Sequence, residues 1–250
     1  MACPSPCFTR PRVPNLTDTS RPFPLHSAPV TAWTRYTTAG LDGDARPDDT
    51  LELGPGAVDG LDRRLLGDVN DQRVLVLGCG AARGAIALAR SGARVVGIDQ
   101  DGGQITRARR NIEEAGVHVE LHHAELSALA FLPPDNFDAV ISVHELSAIA
   151  DLARVFRQVH RVLKADRPII LTLPHPIELM VDPDDHTRIS ERYGSGDERG
   201  AGHHVTHPHT IAHVFTSLIR ANFEVDTLLE PDGQAMHPAS VVLRARKARS

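Results

Sequence analysis

Residues 74–84 read Val-Leu-Val-Leu-Gly-Cys-Gly-Ala-Ala-Arg-Gly, and fifteen residues after Gly84 a second apolar run ends in Asp99. Val74–Leu77 has the β-branched and leucine pattern of a strand covered on both faces. The run stops at Gly78-Cys79-Gly80. Missing side chains there permit a tight turn and let a ligand approach the backbone. A helical run follows over Ala85-Ile-Ala-Leu-Ala-Arg90, then a strand over Ala93–Ile98, with Asp99 at its carboxyl end. Strand, glycine turn, helix, strand and acid together make the nucleotide-binding half of an open parallel sheet. The acid is expected to accept hydrogen bonds from ribose hydroxyls, each worth roughly 1.5–3 kcal/mol at a charged acceptor.

The rest of the chain extends this α/β alternation. Strands are expected near 73–77, 94–98, 117–122, 137–142 and 168–173, and helices near 84–91, 101–115 and 149–163. Ile105, Ala108 and Ile112 recur at helical spacing, as do Leu152, Val155, Phe156, Val159 and Leu163. A further helix is expected from about 208 to 221, with Pro208 in its first turn. Val225–Leu229 and Val241–Leu243 read as a closing pair of strands. Residues 1–30 hold seven prolines and no periodicity, the signature of a disordered or extended arm. Residues 31–55, with Trp33 and Tyr36, read as a cap and linker, either anchoring the arm or lying over the site. Residues 174–207 are rich in Pro, Asp, Gly and His; so long a stretch without periodicity is unusual in a compact domain and often functional.

Composition narrows the function classes. The 250 residues carry a formal net charge of −5, which speaks against a nucleic-acid backbone as partner. No apolar run approaches the ~18 residues of a membrane span. The start of the chain lacks the apolar core of a secretory signal, and Cys3, Cys7 and Cys79 make no disulfide framework. A cytoplasmic, reducing setting is expected. The basic run from Arg244 to Arg249 reads as a solvated strand end.

Five segments, in order, resemble the class I S-adenosylmethionine-dependent methyltransferases, most of all the small-molecule branch that includes ubiquinone-biosynthesis enzymes. They are Leu77-Gly78-Cys79-Gly80, Asp99, Ala124-Glu125-Leu126 with Leu129 and Phe131, Asn136–Ser142, and Arg161-Val162-Leu163-Lys164. The resemblance covers about residues 55–247. It implies a Rossmann-like, doubly wound seven-stranded sheet over 56–250, mostly parallel with an antiparallel last strand and helices on both faces, with 174–207 as a substrate lid. It implies S-adenosyl-L-methionine as cofactor. The main chain of Gly78, Cys79 and Gly80 would wrap its methionine part, Asp99 the ribose, and Glu125 and the Leu126 amide the adenine; Gln100 and Val143 complete the set. Three positions depart from the pattern. Val76 stands where the family has an acid, Ala82 where it has a third glycine, and Ala165-Asp166-Arg167 where it has Pro-Gly-Gly. A methyl at position 82 is tolerable if the local φ is negative.

Methyl transfer is an in-line displacement, and holding the reactants in line can supply roughly 7–11 kcal/mol. An oxygen acceptor also needs a base, worth ~10²–10⁴-fold. A small-molecule acceptor is expected beyond the carboxyl ends of the strands. His144 and His175 follow the fourth and fifth strands, so they are the candidate bases, or else strand-end residues bonding loop carbonyls. Glu145 reads as a solvated acid at a helix start. His203, His204, His207, His209 and His213 read as lid residues rather than a metal site, and Cys79 as a small packed residue. No metal is expected. Two alternatives remain. One is an NAD(P)-dependent oxidoreductase, against which Arg83 replaces the expected glycine and no Tyr-x-x-x-Lys occurs. The other is a non-catalytic S-adenosylmethionine binder.

Overall fold

The structure is a computed structural model that describes residues 51–55, 61–182, 185, 187–194, 206–231 and 236–249. The arm over 1–30, Trp33 and Tyr36, Cys3 and Cys7, and His203 and His204 lie outside the described residues. So does much of 174–207.

After a short helix α1 (Leu61–Leu66), the chain alternates β1 (Arg73–Leu77), α2 (Arg83–Arg90), β2 (Arg94–Asp99), α3 (Gly102–Ala115), β3 (Val119–His123) and β4 (Ala139–Val143). A 3₁₀ turn at Glu145–Ala148 leads to α4 (Leu152–Val162), β5 (Pro168–Pro174), α5 (Ile211–Arg220), β6 (Phe223–Leu229) and β7 (Ser240–Lys247). The sheet has seven strands in the order β3-β2-β1-β4-β5-β7-β6. β1 to β5 pair in parallel, and β7 runs antiparallel to both β5 and β6. This is the doubly wound, mostly parallel sheet that the sequence implied.

Each face of the sheet carries its own apolar layer. On one, Leu75, Leu77, Ile98, Val140 and Leu171 meet α4 and α5 through Val155, Phe156, Val214 and Leu218. On the other, Val74, Val76, Val95, Ile141 and Ile170 meet α2 and α3 through Ile86, Leu88, Ile105 and Ile112, with Leu51 and Leu53. Burial on both faces is why β1 after Arg73, β4 and β5 read as near-continuous apolar runs, broken only by Ser142 and Thr172.

Several ends differ from the sequence expectation for local reasons. α5 begins at Ile211, because the Thr210 hydroxyl accepts the His213 N–H at 3.0 Å; Pro208 therefore precedes the helix. α4 begins at Leu152, because the Asp151 carboxylate accepts the Arg154 N–H at 3.0 Å. β7 is longer than expected and absorbs most of the basic run. A bulge between Val225 and Thr227 aims Asp226 at both Arg244 (2.7 Å) and Arg246 (2.9 Å). Lys247 is buried, with its Nζ donating to Asp135 Oδ1 at 2.6 Å and to the Leu163 carbonyl at 2.8 Å. Those cations are thus paired within the fold, while Arg246 and Arg249 keep much of their surface in solvent, as expected of a solvated strand end.

Asp138 fixes the start of the two central strands. Its Oδ2 accepts the Arg73 N–H at 3.0 Å, and Oδ1 meets Lys164 Nζ at 2.8 Å, with the Arg167 guanidinium at 3.5 Å. Burial pushes this carboxyl up. The bonds from Lys164 and Arg73, with the Lys164 and Arg167 charges, bring it net below its ordinary value. Its contribution is in full force above the ordinary aspartate value of 3.8 and fades as pH falls through the lowered native one. Asp138→Asn is expected to cost about 1–3 kcal/mol at neutral pH. Urea titrations of both proteins should show the gap closing in acid.

Candidate active site

In the strand order, β1 is the point at which the chain turns back: β2 and β3 lie on one side of it, β4 and β5 on the other. Ligands in open α/β sheets bind outside the carboxyl ends at such a point. Gly78 leaves β1 there with φ 71°, and Gly80 follows with φ 51°. The turn is held from behind. The N–H groups of Gly78 and Cys79 both donate to the Ile98 carbonyl, at 2.8 and 3.0 Å. The Gly80 N–H donates to Asp99 Oδ2 at 2.8 Å, and the Asp101 N–H to Asp99 Oδ1 at 2.9 Å. Asp99 is 3% exposed; burial raises its carboxyl, while the Asp101 and Gly80 hydrogen bonds partly offset this. A Cβ placed on Gly80 would meet no atom within 4 Å, so the front of the turn is open.

The neighbouring candidates fall into place around Asp99. Gln100 is exposed beside it, and the Gln100 carbonyl lies 3.0 Å from His123 Nε2. The Ala124 N–H donates to the Asp99 carbonyl at 3.0 Å, which brings exposed Glu125 and buried Leu126 alongside. Cys79 is buried against Gly97, where a Cβ would come within 3.1 Å of its Sγ. Burial first, then the Asp99 charge, pushes its thiol up to about 12, so it is an unreactive packing residue.

Across the crevice, the Ser142 hydroxyl ties β4 to β1 by donating to the Leu77 carbonyl at 3.0 Å. Val143 is half-buried at the strand end. His144 then turns with φ 74° and ψ −44°, a strained conformation for a non-glycine residue. Its N–H donates to the Thr172 carbonyl at 2.8 Å, and its own carbonyl accepts the Ser147 N–H at 2.9 Å. Glu145 therefore lies against the glycine turn, with His144 next to it at the end of β4. The sequence missed one feature here. Glu145 is not a solvated acid: its Cβ would lie 2.1 Å from a Cβ on Gly78, and burial, with Asp99 and Asp101 nearby, pushes its carboxyl up to about 7.

His175 is 2% exposed, and both its ring nitrogens are engaged. The Ile177 N–H donates to Nδ1 at 3.1 Å, so Nε2 carries the proton and donates to Glu230 at 2.9 Å. A second histidine–glutamate contact, His237 Nδ1 to Glu178 Oε2 at 3.4 Å, lies between the segments that follow β5 and precede β7. No local pattern in the sequence announces it. His207, His209 and His213 do come together. His209 Nε2 donates to the Ile149 carbonyl at 2.8 Å, and His213 Nδ1 lies 3.2 Å from His209 Nδ1. Burial, then the neighbouring histidines, lowers the His209 pKa despite the Ile149 bond. Among the described residues no group of three or more His, Cys, Asp or Glu is arranged to hold a metal ion.

Residues 74–166 match the family model described as "Methyltransferase domain". The chain is similar to the methyltransferase phqN of Penicillium fellutanum, 28% identical over 62% of this chain and 46% of that protein. It is also similar to the ubiquinone biosynthesis O-methyltransferase of Pseudomonas putida, 33% identical over 45% of this chain and 48% of that protein. The chain thus spans about half the length of these curated relatives. A solved S-adenosylmethionine-dependent methyltransferase from Mesorhizobium loti superposes with TM-score 0.64, 26% identity, and coverage of 74% of this chain and 94% of that one. Residues 74–166 thus carry a methyltransferase domain, on a fold shared with a solved S-adenosylmethionine-dependent methyltransferase. None of these three relatives is a nicotinamide-dependent oxidoreductase.

The residues present fit the cofactor of such a domain. The open front of Gly80 leaves room for it, and buried Asp99 has lone pairs beyond the two that Gly80 and Asp101 use. One departure is sharper than the sequence reading allowed. Ala82 sits at φ 68°, not at a negative φ, and it is fully buried at the start of α2. The left-handed conformation costs an alanine roughly 1–2 kcal/mol, while its buried methyl returns about 0.8 kcal/mol. Ala82→Gly is therefore expected to stabilise the methyltransferase domain by about 0.2–1.2 kcal/mol, read as a higher urea midpoint with unchanged slope.

Proposed function

We propose that the protein is an S-adenosylmethionine-dependent methyltransferase acting on a small-molecule acceptor by in-line methyl transfer. The observation that carries this reading is the glycine turn, open at Gly80 and pinned by Asp99 at the point where the sheet reverses. The main chain of Gly78, Cys79 and Gly80 borders the methionine part of the cofactor. Asp99 accepts from the ribose, Glu125 and the Leu126 amide read the adenine, and Gln100 and Val143 line the two ends of the cleft. When bound, S-adenosylmethionine supplies an electrophilic methyl on a positively charged sulfur.

The chain's own task is placement and proton handling. The backbone of the turn is fixed by three hydrogen bonds, two to the Ile98 carbonyl and one to the Asp99 carboxylate, before any ligand arrives, so little ordering remains to oppose binding. His144 is the residue we assign to the acceptor: it follows β4 directly, beyond the carboxyl ends of the strands, on a strained backbone, and an imidazole titrates near neutral pH. That matters most for a hydroxyl acceptor, which must lose its proton. His175 holds the loop after β5 to Glu230, since neither ring nitrogen is left for an acceptor. The relative named for ubiquinone O-methylation supports a small organic acceptor. The net negative charge disfavours nucleic acid. Among the described residues no helix is long and apolar enough to cross a membrane. The three cysteines, too few for a disulfide framework, support a reducing, cytoplasmic setting.

Calorimetry with S-adenosylhomocysteine and transfer of a labelled methyl group to candidate acceptors test this together. Asp99→Ala is expected to weaken cofactor binding at least about tenfold. His144→Ala should leave cofactor affinity intact and slow transfer to a hydroxyl by ~10²–10⁴-fold. Undiminished cofactor affinity in the Asp99 variant would overturn the reading.

A further inference from the structure

The glycine turn is bordered by more negative charge than its ribose-binding role requires. Asp99 closes β2, Asp101 caps α3, and Glu145 reaches over from the far side of the crevice. Glu145 is the unusual member. Its Cβ and Cγ would lie 2.1 and 2.2 Å from a Cβ on Gly78, so the side chain passes directly over the bare Cα of that glycine. Its Oε1 is 3.5 Å from Gln100 Nε2, which places the carboxylate across the cleft, above the main chain that borders the methionine part of the cofactor. Val76, where related domains carry an acid, points into the apolar layer with Ile86 and Ile141 and has no charge to offer.

We propose that the Glu145 carboxylate, laid over Gly78 and bonded by Gln100, is the anionic partner of the α-ammonium of S-adenosylmethionine, taking over from the acid absent at position 76. This rests on the cofactor reading above. Glu145 is a positioning residue for the cofactor and takes no part in moving the acceptor's proton.

The electrostatics of the free protein agree with that role. The groups that face Glu145 are Asp99 from β2, Asp101 from the start of α3, the Gln100 amide between them, and the Cys79 thiol in the turn. Burial comes first, then the two aspartates, and together they push the carboxyl up to about 7; the Gln100 bond pulls weakly the other way. Near neutral pH the unliganded protein therefore holds a proton there part of the time. An ammonium or sulfonium favours the ionised carboxylate, so binding lowers its pKa and expels that proton. Affinity for a cationic ligand must then rise with pH up to and through about 7, and proton release must accompany binding.

Calorimetry of the full chain tests this with two compounds: S-adenosylmethionine, and 5′-methylthioadenosine, which keeps the nucleoside but has a neutral sulfur and no amino acid. For the wild type, S-adenosylmethionine affinity should rise severalfold between about pH 6 and pH 7.5, a range in which an α-ammonium stays largely charged. Repeating the titration in buffers of different ionisation enthalpy should show protons released. The methylthioadenosine affinity should stay flat. Glu145→Gln should lose about tenfold for S-adenosylmethionine and nothing for methylthioadenosine, and should erase the pH slope. Equal losses for both compounds, no loss for either, or a slope that survives in Glu145→Gln would overturn the assignment while leaving the cofactor reading intact. Wild-type protein that binds neither compound would remove both.

Discussion

One carboxylate holds the working end of this protein together. Asp99 accepts the N–H of Gly80 with one oxygen and that of Asp101 with the other, while its main-chain carbonyl accepts Ala124. Three pieces of chain that share no sequence proximity are thereby fixed to the end of β2: the turn after β1, the start of α3, and the exit from β3. The arrangement has a cost, because burial disfavours the charge, and the carboxyl sits above its ordinary value even with both hydrogen bonds made. A ligand that brought hydroxyl donors to the remaining lone pairs would relieve part of that cost. The scaffold is in this sense completed by what it binds.

Much of this architecture is legible in one chain, for a specific reason. Parallel strands buried on both faces must be apolar throughout, so β1, β2, β4 and β5 announce themselves as Val, Leu and Ile runs. The glycine turn and Asp99 are local and survive as a pattern. What stays hidden is whatever depends on a distant partner. The basic run at the end of the chain does not reveal its partners until Asp226, Asp135 and Asp166 arrive from elsewhere in the fold. Glu145 looks like an ordinary helix-start acid until Gly78 is seen beneath it. His175 looks available until Ile177 and Glu230 occupy its ring. The sign of φ at Ala82 is hidden too, because the residue type argues for the opposite value.

Ala82 and His144 form an instructive pair. Both are non-glycine residues with positive φ, and they stand just beyond the carboxyl ends of the two neighbouring strands β1 and β4. Backbone strain of this kind persists only where surrounding contacts over-determine it. Around Ala82 the fixing contacts are the hydrogen bond from its N–H to the Cys79 carbonyl and the apolar layer that encloses its methyl. Around His144 they are the Thr172 carbonyl on β5 and the 3₁₀ turn that follows. The strain thus lies on both lips of the same crevice, which is where a rigid, unadaptable wall is most useful.

The placement of β7 between β5 and β6 bears on how the chain emerges from the ribosome. β5 is synthesised with its neighbour β7 still unmade, and its mostly apolar strand offers a line of unsatisfied amides and carbonyls to anything nearby. Only when residues up to Lys247 leave the exit tunnel can that line be filled from within, and Pro55 must then close on Ser240 across the whole span. A nascent chain halted before that point would present an adhesive margin, so demand for a holdase chaperone should peak late in its translation.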